Sequence, residues 1–204
     1  MSRLGIVTGL PREAKILRGA ALVRCEGPGP AAAGRAAAAL IAAGADTLMS
    51  FGVAGALDPR LVPGDLVVAT EVITPDGRHY PAEAQISGIR GAILTRDTPV
   101  ADVEQKCRLF EQTGAIAVDM ESAAVAACAL AAGIPFMAVR AIADSARRTI
   151  PRAAIDALRP DGTTDYRALL ARPGDWWGLL ALGRDWRRAQ RTLRDVALGG
   201  GLVL

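Results

Sequence analysis

"AVDMESAAVAACALAAG", residues 117–133, sets two carboxylates, Asp119 and Glu121, in a run that is otherwise apolar or small. Taking a carboxylate out of water is costly unless it is paired or hydrogen-bonded, so a run that keeps two needs a specific explanation. The local explanation is a junction. "AIAV" (115–118) reads as a short buried strand, and 121–132 consists largely of strong helix formers ending at Gly133. Asp119 then stands where a helix N-cap is needed. Glu121 stands in a first turn, where the helix dipole favours an acid.

The same strand-to-helix alternation extends in both directions. "LGIVTG" (4–9), "ALVRCEG" (21–27), "DTLMSFGVAG" (46–55), "PGDLVVATEVIT" (63–74), "GAILT" (91–95) and "PFMAVRAIAD" (135–144) read as strands. Helices are predicted over 11–17, 30–44 and 101–112, and "PDGRHYPAE" (75–83) reads as a loop. Alternation of this kind specifies an α/β fold: a single domain over 1–204, with a mostly parallel mixed central sheet flanked by helices and a C-terminal helical tail over about 165–198. In open α/β sheets, ligands bind beyond the carboxyl ends of the strands. Glu13 follows the first strand, Glu121 follows "AIAV", and Asp144 closes the last strand. Each alone has an ordinary structural reading, but together they point to one crevice.

Composition narrows the function classes. The chain has 204 residues, 51% of them apolar and only 4% aromatic, with a net charge of +3 carried almost wholly by arginine, since Lys15 and Lys106 are its lysines. The basic residues are dispersed up to the C-terminal stretch, and no nucleic-acid-binding signature is present. Cys25, Cys107 and Cys128 are unclustered and His79 is the sole histidine, which argues against a metal site and for reduced thiols of a cytoplasmic protein. The start "MSRLGIVTGL" runs directly into a strand and has no signal-peptide architecture. Ser122 to Val139 lacks charge, but "GIP" (133–135) breaks it into two buried elements rather than a membrane span.

"GPGPAA" (27–32) matches the glycine-rich dinucleotide fingerprint between a strand and a helix. Asp46 precedes the following strand instead of ending it, and Pro28 and Pro30 remove two amide donors from the turn. An NAD-dependent oxidoreductase is therefore a distant alternative.

"GIVTGLPREAKIL", "SFGVAGALDPRLVPGDLVVATEVI", "AVDMESAAVA" and "VRAIAD", in that order over residues 4–145, resemble the nucleoside phosphorylase/nucleosidase superfamily, especially its methylthioadenosine/adenosylhomocysteine nucleosidase branch. The tail "RPDGTTDYRALLARPGDWWGLLALGRDWRRAQRTL" (159–193) is similar to the hopanoid-biosynthesis-associated phosphorylase subgroup, whose implied reaction releases adenine from adenosylhopane to leave ribosylhopane. The resemblance implies an N-glycosidic bond hydrolase, a purine nucleosidase needing no metal or cofactor. Asp144 would be the general acid at the purine N7, and Glu13 the base that activates water. Glu121 would bind the ribose hydroxyls, with Met120 packed on the ribose. Arg140 would lie beside the water and Gly55 near the nucleophile, with Val118 and Val100 lining the substrate site.

Departures from the family pattern accompany the match. Val53 stands where the nucleosidases carry a serine near the water, and Pro99 and Val100 stand where an aromatic stacks on the purine. Segment 79–90 is shorter than the loop that relatives place over the 5′ side. In "GLPREAK" (9–15), Glu13 replaces an arginine that holds phosphate in the phosphorylases, and Ser50 and Val53 replace two further phosphate ligands. Hydrolysis is therefore expected. Phosphorolysis, a plain methylthioadenosine/adenosylhomocysteine nucleosidase and a non-catalytic purine-binding protein are the alternatives. The implied partners are a small nucleoside, in this subgroup lipid-linked, and further copies of the chain. "DWWGLLALGRDWRRAQRTLRDVAL" (175–198) mixes tryptophan, leucine and arginine as interfacial helices do, which makes it a candidate for peripheral membrane contact; packing on the domain is its commoner use.

Overall fold

A computed structural model describes residues 3–17 and 22–199. Ala21, the predicted start of the second strand, lies outside them. Eight strands form one sheet: β1 (Leu4–Thr8), β2 (Leu22–Cys25), β3 (Thr47–Ala56), β4 (Leu66–Ile73), β5 (His79–Pro81), β6 (Ile89–Thr95), β7 (Ala117–Asp119) and β8 (Phe136–Asp144). The helices are α1 (Pro11–Ile16), α2 (Pro30–Ala42), α3 (Val103–Thr113), α4 (Ser122–Ala132), α5 (Arg152–Asp156), α6 (Tyr166–Leu170) and α7 (Trp176–Leu198), with a 3-10 turn at Pro173–Asp175. This is the expected α/β domain. Two segments differ: α5 falls in no predicted element, and β5 lies inside the predicted loop 75–83, where His79, Tyr80 and Pro81 pair antiparallel with β4.

The pairings are mixed. β1 joins β2 and β3, β3 joins β8, β4 joins β6 and β6 joins β7 in parallel, whereas β3–β7, β4–β5 and β4–β8 run antiparallel. Ladders from β3 to β8, β4, β6, β7 and back to β3 close a ring. β8 runs through this ring with all nine of its residues buried, which explains its nearly unbroken apolar sequence.

Small side chains let the helices close on the sheet. α2 and α4 contribute Ala33, Ala36, Ala37, Ala123, Ala126 and Ala129 to one core cluster with Val7, Leu40 and Ile142. α4 ends at Gly133, whose φ of 66° is the left-handed conformation a helix C-terminus favours and glycine adopts without strain. On the other face, Ala189 and Leu193 of α7 join Ile6, Met49, Phe51 and Val139. Among the described residues, no helix is long and apolar enough to cross a membrane.

Register places the functional ends together. Gly55 of β3 pairs with Val118 of β7 on one side and with Asp144 of β8 on the other, across a bulge at Ala54/Gly55. Residues distant in sequence thus meet at one rim.

Candidate active site

A cavity of about 650 Å³ opens at that rim, within the usual size for small-molecule sites. Glu13, Glu121, Met120, Val118, Gly55, Val100 and Asp144 all line it, so the structure brings together every residue singled out from sequence except Arg140.

Glu13 sits in the first turn of α1, where Pro11 opens the helix. Its Oε2 accepts from the Leu10 amide at 3.0 Å and its Oε1 from the Val53 amide at 2.9 Å. The carboxyl group is therefore pinned between a helix start and the end of β3. Burial pushes its pKa up to about 7, against the charge of Arg140 and the two amide hydrogen bonds, with Glu121 adding to the rise.

Glu121 has a protein partner, which the sequence did not suggest: the Gly29 amide donates to its Oε1 at 2.9 Å. This assigns "GPGPAA" a use. Gly29, at φ 93°, aims its N–H at Glu121 rather than at a pyrophosphate. A side chain at Gly27, at φ 109°, would meet the Pro160 carbonyl oxygen at 2.5 Å. Burial raises the Glu121 pKa; Arg140 opposes that rise and Asp119 adds to it.

Arg140 is not at the cavity surface. It is 1% exposed, and its guanidinium lies beneath the acids. Nε donates to Asp119 Oδ2 at 2.8 Å, while one terminal nitrogen reaches Ser50 Oγ at 2.7 Å, Ser122 Oγ at 3.1 Å and Glu121 Oε2 at 3.6 Å. Burial disfavours its charge, but Asp119, Glu121 and Glu13 outweigh burial and hold its pKa above the ordinary arginine value. Buried beneath the cavity, Arg140 is a shared counter-ion to three acids.

The N-cap position expected for Asp119 is corrected by the structure. Its contact with the Ser122 amide is long, 3.4 Å, and Glu121 holds the N-cap position of α4. Asp119 instead takes Thr95 Oγ1 at 2.7 Å, the Ser122 hydroxyl and Arg140.

Asp144 meets a residue that the sequence did not mark. Lys106 of α3, 0% exposed, places Nζ 2.5 Å from Asp144 Oδ2. Burial raises the Asp144 pKa, Lys106 lowers it, Asp185 adds to the rise and Arg148 opposes it.

Glu121, Glu13 and Asp144 each rest against a glycine. A Cβ on Gly9 would lie 2.8 Å from Glu121 Oε1, one on Gly52 2.7 Å from Glu13 Oε1, and one on Gly55 3.1 Å from Asp144 Oδ1.

The remaining walls are largely apolar. Ile155, Leu158, Leu169, Leu179, Leu182 and Trp186 come from α5 to α7 and their connections, and no residue of 79–90 takes part. Among the described residues, no group of three or more His, Cys, Asp or Glu could hold a metal ion.

The model of the Phosphorylase superfamily matches residues 11–88 and 82–170. A 5′-methylthioadenosine/S-adenosylhomocysteine nucleosidase of Staphylococcus epidermidis is 26% identical over 131 residues, covering 50% of this chain and 58% of that protein, so the match spans little more than half of the relative's length. Among solved structures, the native futalosine hydrolase of Helicobacter pylori superposes with a TM-score of 0.73 at 18% identity, covering 98% of this chain and 97% of that one. The 5′-methylthioadenosine/S-adenosylhomocysteine nucleosidase of Neisseria meningitidis, in complex with methylthio-immucillin-A, superposes with a TM-score of 0.71 at 18% identity, covering 97% of each chain.

Proposed function

The chain belongs to the phosphorylase superfamily, and on that footing we propose that it hydrolyses the N-glycosidic bond of a 5′-substituted adenosine and releases adenine. The observation that carries the reading is the convergence of Glu13, Glu121 and Asp144 on one cavity, each buried with a raised pKa.

Cleaving this bond requires a proton, or a strong hydrogen bond, for the departing base and stabilisation of an oxocarbenium-like sugar. Asp144 is the donor to the purine N7: a carboxyl whose pKa burial raises holds a proton that an exposed one would lose. Glu121, already held by Gly29, offers its carboxyl oxygens as acceptors to the 2′- and 3′-hydroxyls. Glu13, with a pKa of about 7, takes a proton from water near neutrality. Arg140 keeps the acids in place from below.

Water is the nucleophile in this reading. Glu13 occupies the place of a phosphate-holding arginine, Val53 offers no hydroxyl, and Ser50 is engaged by Arg140. Arg12 lines the cavity, but its guanidinium donates to the Tyr166 hydroxyl at 3.1 Å. Adenine release is expected to proceed at an unchanged rate when phosphate is added to phosphate-free buffer, with a free ribosyl product. Strict dependence on phosphate, with a ribose-1-phosphate-type product, overturns hydrolysis.

For the 5′ substituent we propose a large apolar group, the hopane of adenosylhopane, with ribosylhopane as co-product. The apolar walls from α5 to α7 support this. So does the outward face of α7, where exposed Trp177, Leu180, Arg184, Arg187, Arg188, Arg191 and Arg194 recur at helical spacing while Leu179, Leu182 and Trp186 face the cavity. That face suits an anionic bilayer surface from which a lipid-linked substrate is drawn. The protein is expected to float with anionic liposomes at low salt; failure to float rejects the membrane contact. The same reading has a homo-oligomer working in the cytoplasm at the membrane surface. Adenine release from adenosylhopane but not methylthioadenosine supports the hopane assignment, and the reverse preference overturns it.

A further inference from the structure

A lysine ammonium has three donors, and Lys106 spends all three on one short segment. Nζ reaches Asp144 Oδ2 at 2.5 Å and the carbonyl oxygens of Ser145 and Arg148 at 3.0 Å each. Its side chain is 0% exposed, so water replaces none of these bonds. We propose that Lys106 is a positioning residue for the reaction: its ammonium fixes the rotamer of Asp144 and sets how readily Asp144 gives up its proton. This inference rests on the role given to Asp144 above.

Stability alone is a weak reason to keep such a pair. Burying an ammonium is costly, and apolar replacements of buried ion pairs are often neutral or stabilising. The charge acts on Asp144 with few competitors. Lys106 faces it from α3, Arg148 from the loop after β8, and Asp185 from α7. Asp185 is itself held by Arg148 and, at 3.4 Å, by Arg188. On the β3 side, a Cβ on Gly55 would lie 3.1 Å from Asp144 Oδ1. Burial raises the proton affinity of Asp144 and Lys106 restrains it, which matters because a general acid works best with its pKa near the working pH.

The test is the pH profile of adenine release in Lys106→Met and in Lys106→Gln, which loses the charge but keeps an amide donor. A protonated Asp144 sets the high-pH limb of kcat/KM, so removing the cation is expected to move that limb upward by about one pH unit or more, with kcat falling more than KM rises. A purely structural lysine would lower the rate equally at every pH and leave the limb in place; that result overturns the proposal. The native chain gives a second readout that needs no variant to fold. Lys15 and Lys106 are its two lysines, so lysine labelled with ¹³C at Cε yields two signals, which Lys15→Arg assigns. The Lys106 signal is expected to inflect at the same pH as the Asp144 carboxyl signal and to shift when adenine is added. A Lys106 signal that is flat through the Asp144 titration overturns the proposal. Failure of the wild type to release adenine from any nucleoside defeats the functional reading instead, and the NMR titration distinguishes that outcome.

Discussion

Asp144→Asn is expected to lower adenine release by about 10²- to 10⁴-fold, the usual worth of general acid catalysis, while the protein stays folded. The side chains have nearly the same shape, so the change removes the acidic proton and little else. The amide oxygen can still accept from Lys106 Nζ, which lies 2.5 Å from Oδ2 in the native protein. With Asp144 protonated, as its role requires, the Lys106 ammonium faces a neutral partner before and after the change, so little loss of stability is expected to accompany the loss of rate. Circular dichroism separates the two effects, provided activity is measured well below the variant's melting temperature. Near-normal release by a folded Asp144→Asn variant would remove Asp144 from the chemistry.

Glu13→Gln is expected to cost a similar factor, about 10² to 10⁴, by removing the base, and it carries a second signature in stability. The folded-state pKa of Glu13 is about 7, raised from 4.5. Between those values the folded state binds a proton that the unfolded state does not, so stability falls as pH rises through the window. The stabilisation is complete below about 4.5 and lost above about 7. Integrated over the shift, it amounts to about 3 kcal/mol. An amide does not titrate, so the variant should lack this share of the slope. The substituted side chain has one acceptor oxygen and cannot accept from both the Leu10 and Val53 amides as the carboxylate does, so the comparison is of slopes, not absolute stabilities. Melting curves at several pH values measure it. For the wild-type activity, the low-pH limb should fall near pH 7; a limb near an ordinary carboxylate value would deny Glu13 the role of base.

Much of the architecture was legible because strand-helix alternation and apolar runs leave a local signature. The three acids were legible because each follows a strand. What escaped depends on tertiary context. Lys106 sits in "VEQKCRLFEQT", which reads as a polar, solvated helix. Yet Val103, Lys106, Leu109 and Phe110 share one stripe at helical spacing, and a lysine within such a stripe was the available signal. Arg140 was likewise the sole charge inside "FMAVRAIA", a sign of burial and pairing rather than of contact with substrate. The Gly29 amide that meets Glu121 had no local sign, since the two residues lie 92 positions apart. β5 is three residues long and contains Pro81, too little for a periodic pattern.

The cavity has two makers. Strand ends and the starts of α1 and α4 supply the acids, and these are tied into the interior through Arg140, Lys106 and backbone amides. The segment from Ile150 to Trp186 supplies much of the apolar wall, and its outer surface carries exposed residues such as Leu170 and Trp177. Inheritance can therefore act on the two parts at different rates. Drift in the tail can reshape what the cavity accepts while the buried acids keep their surroundings. Asp185 is where that independence ends: it belongs to the tail, yet through Arg148 it touches the segment that Lys106 gathers around Asp144. A lineage that exchanged its tail for another would have to carry this one acid across, or change the surroundings of Asp144 along with the shape of the cavity.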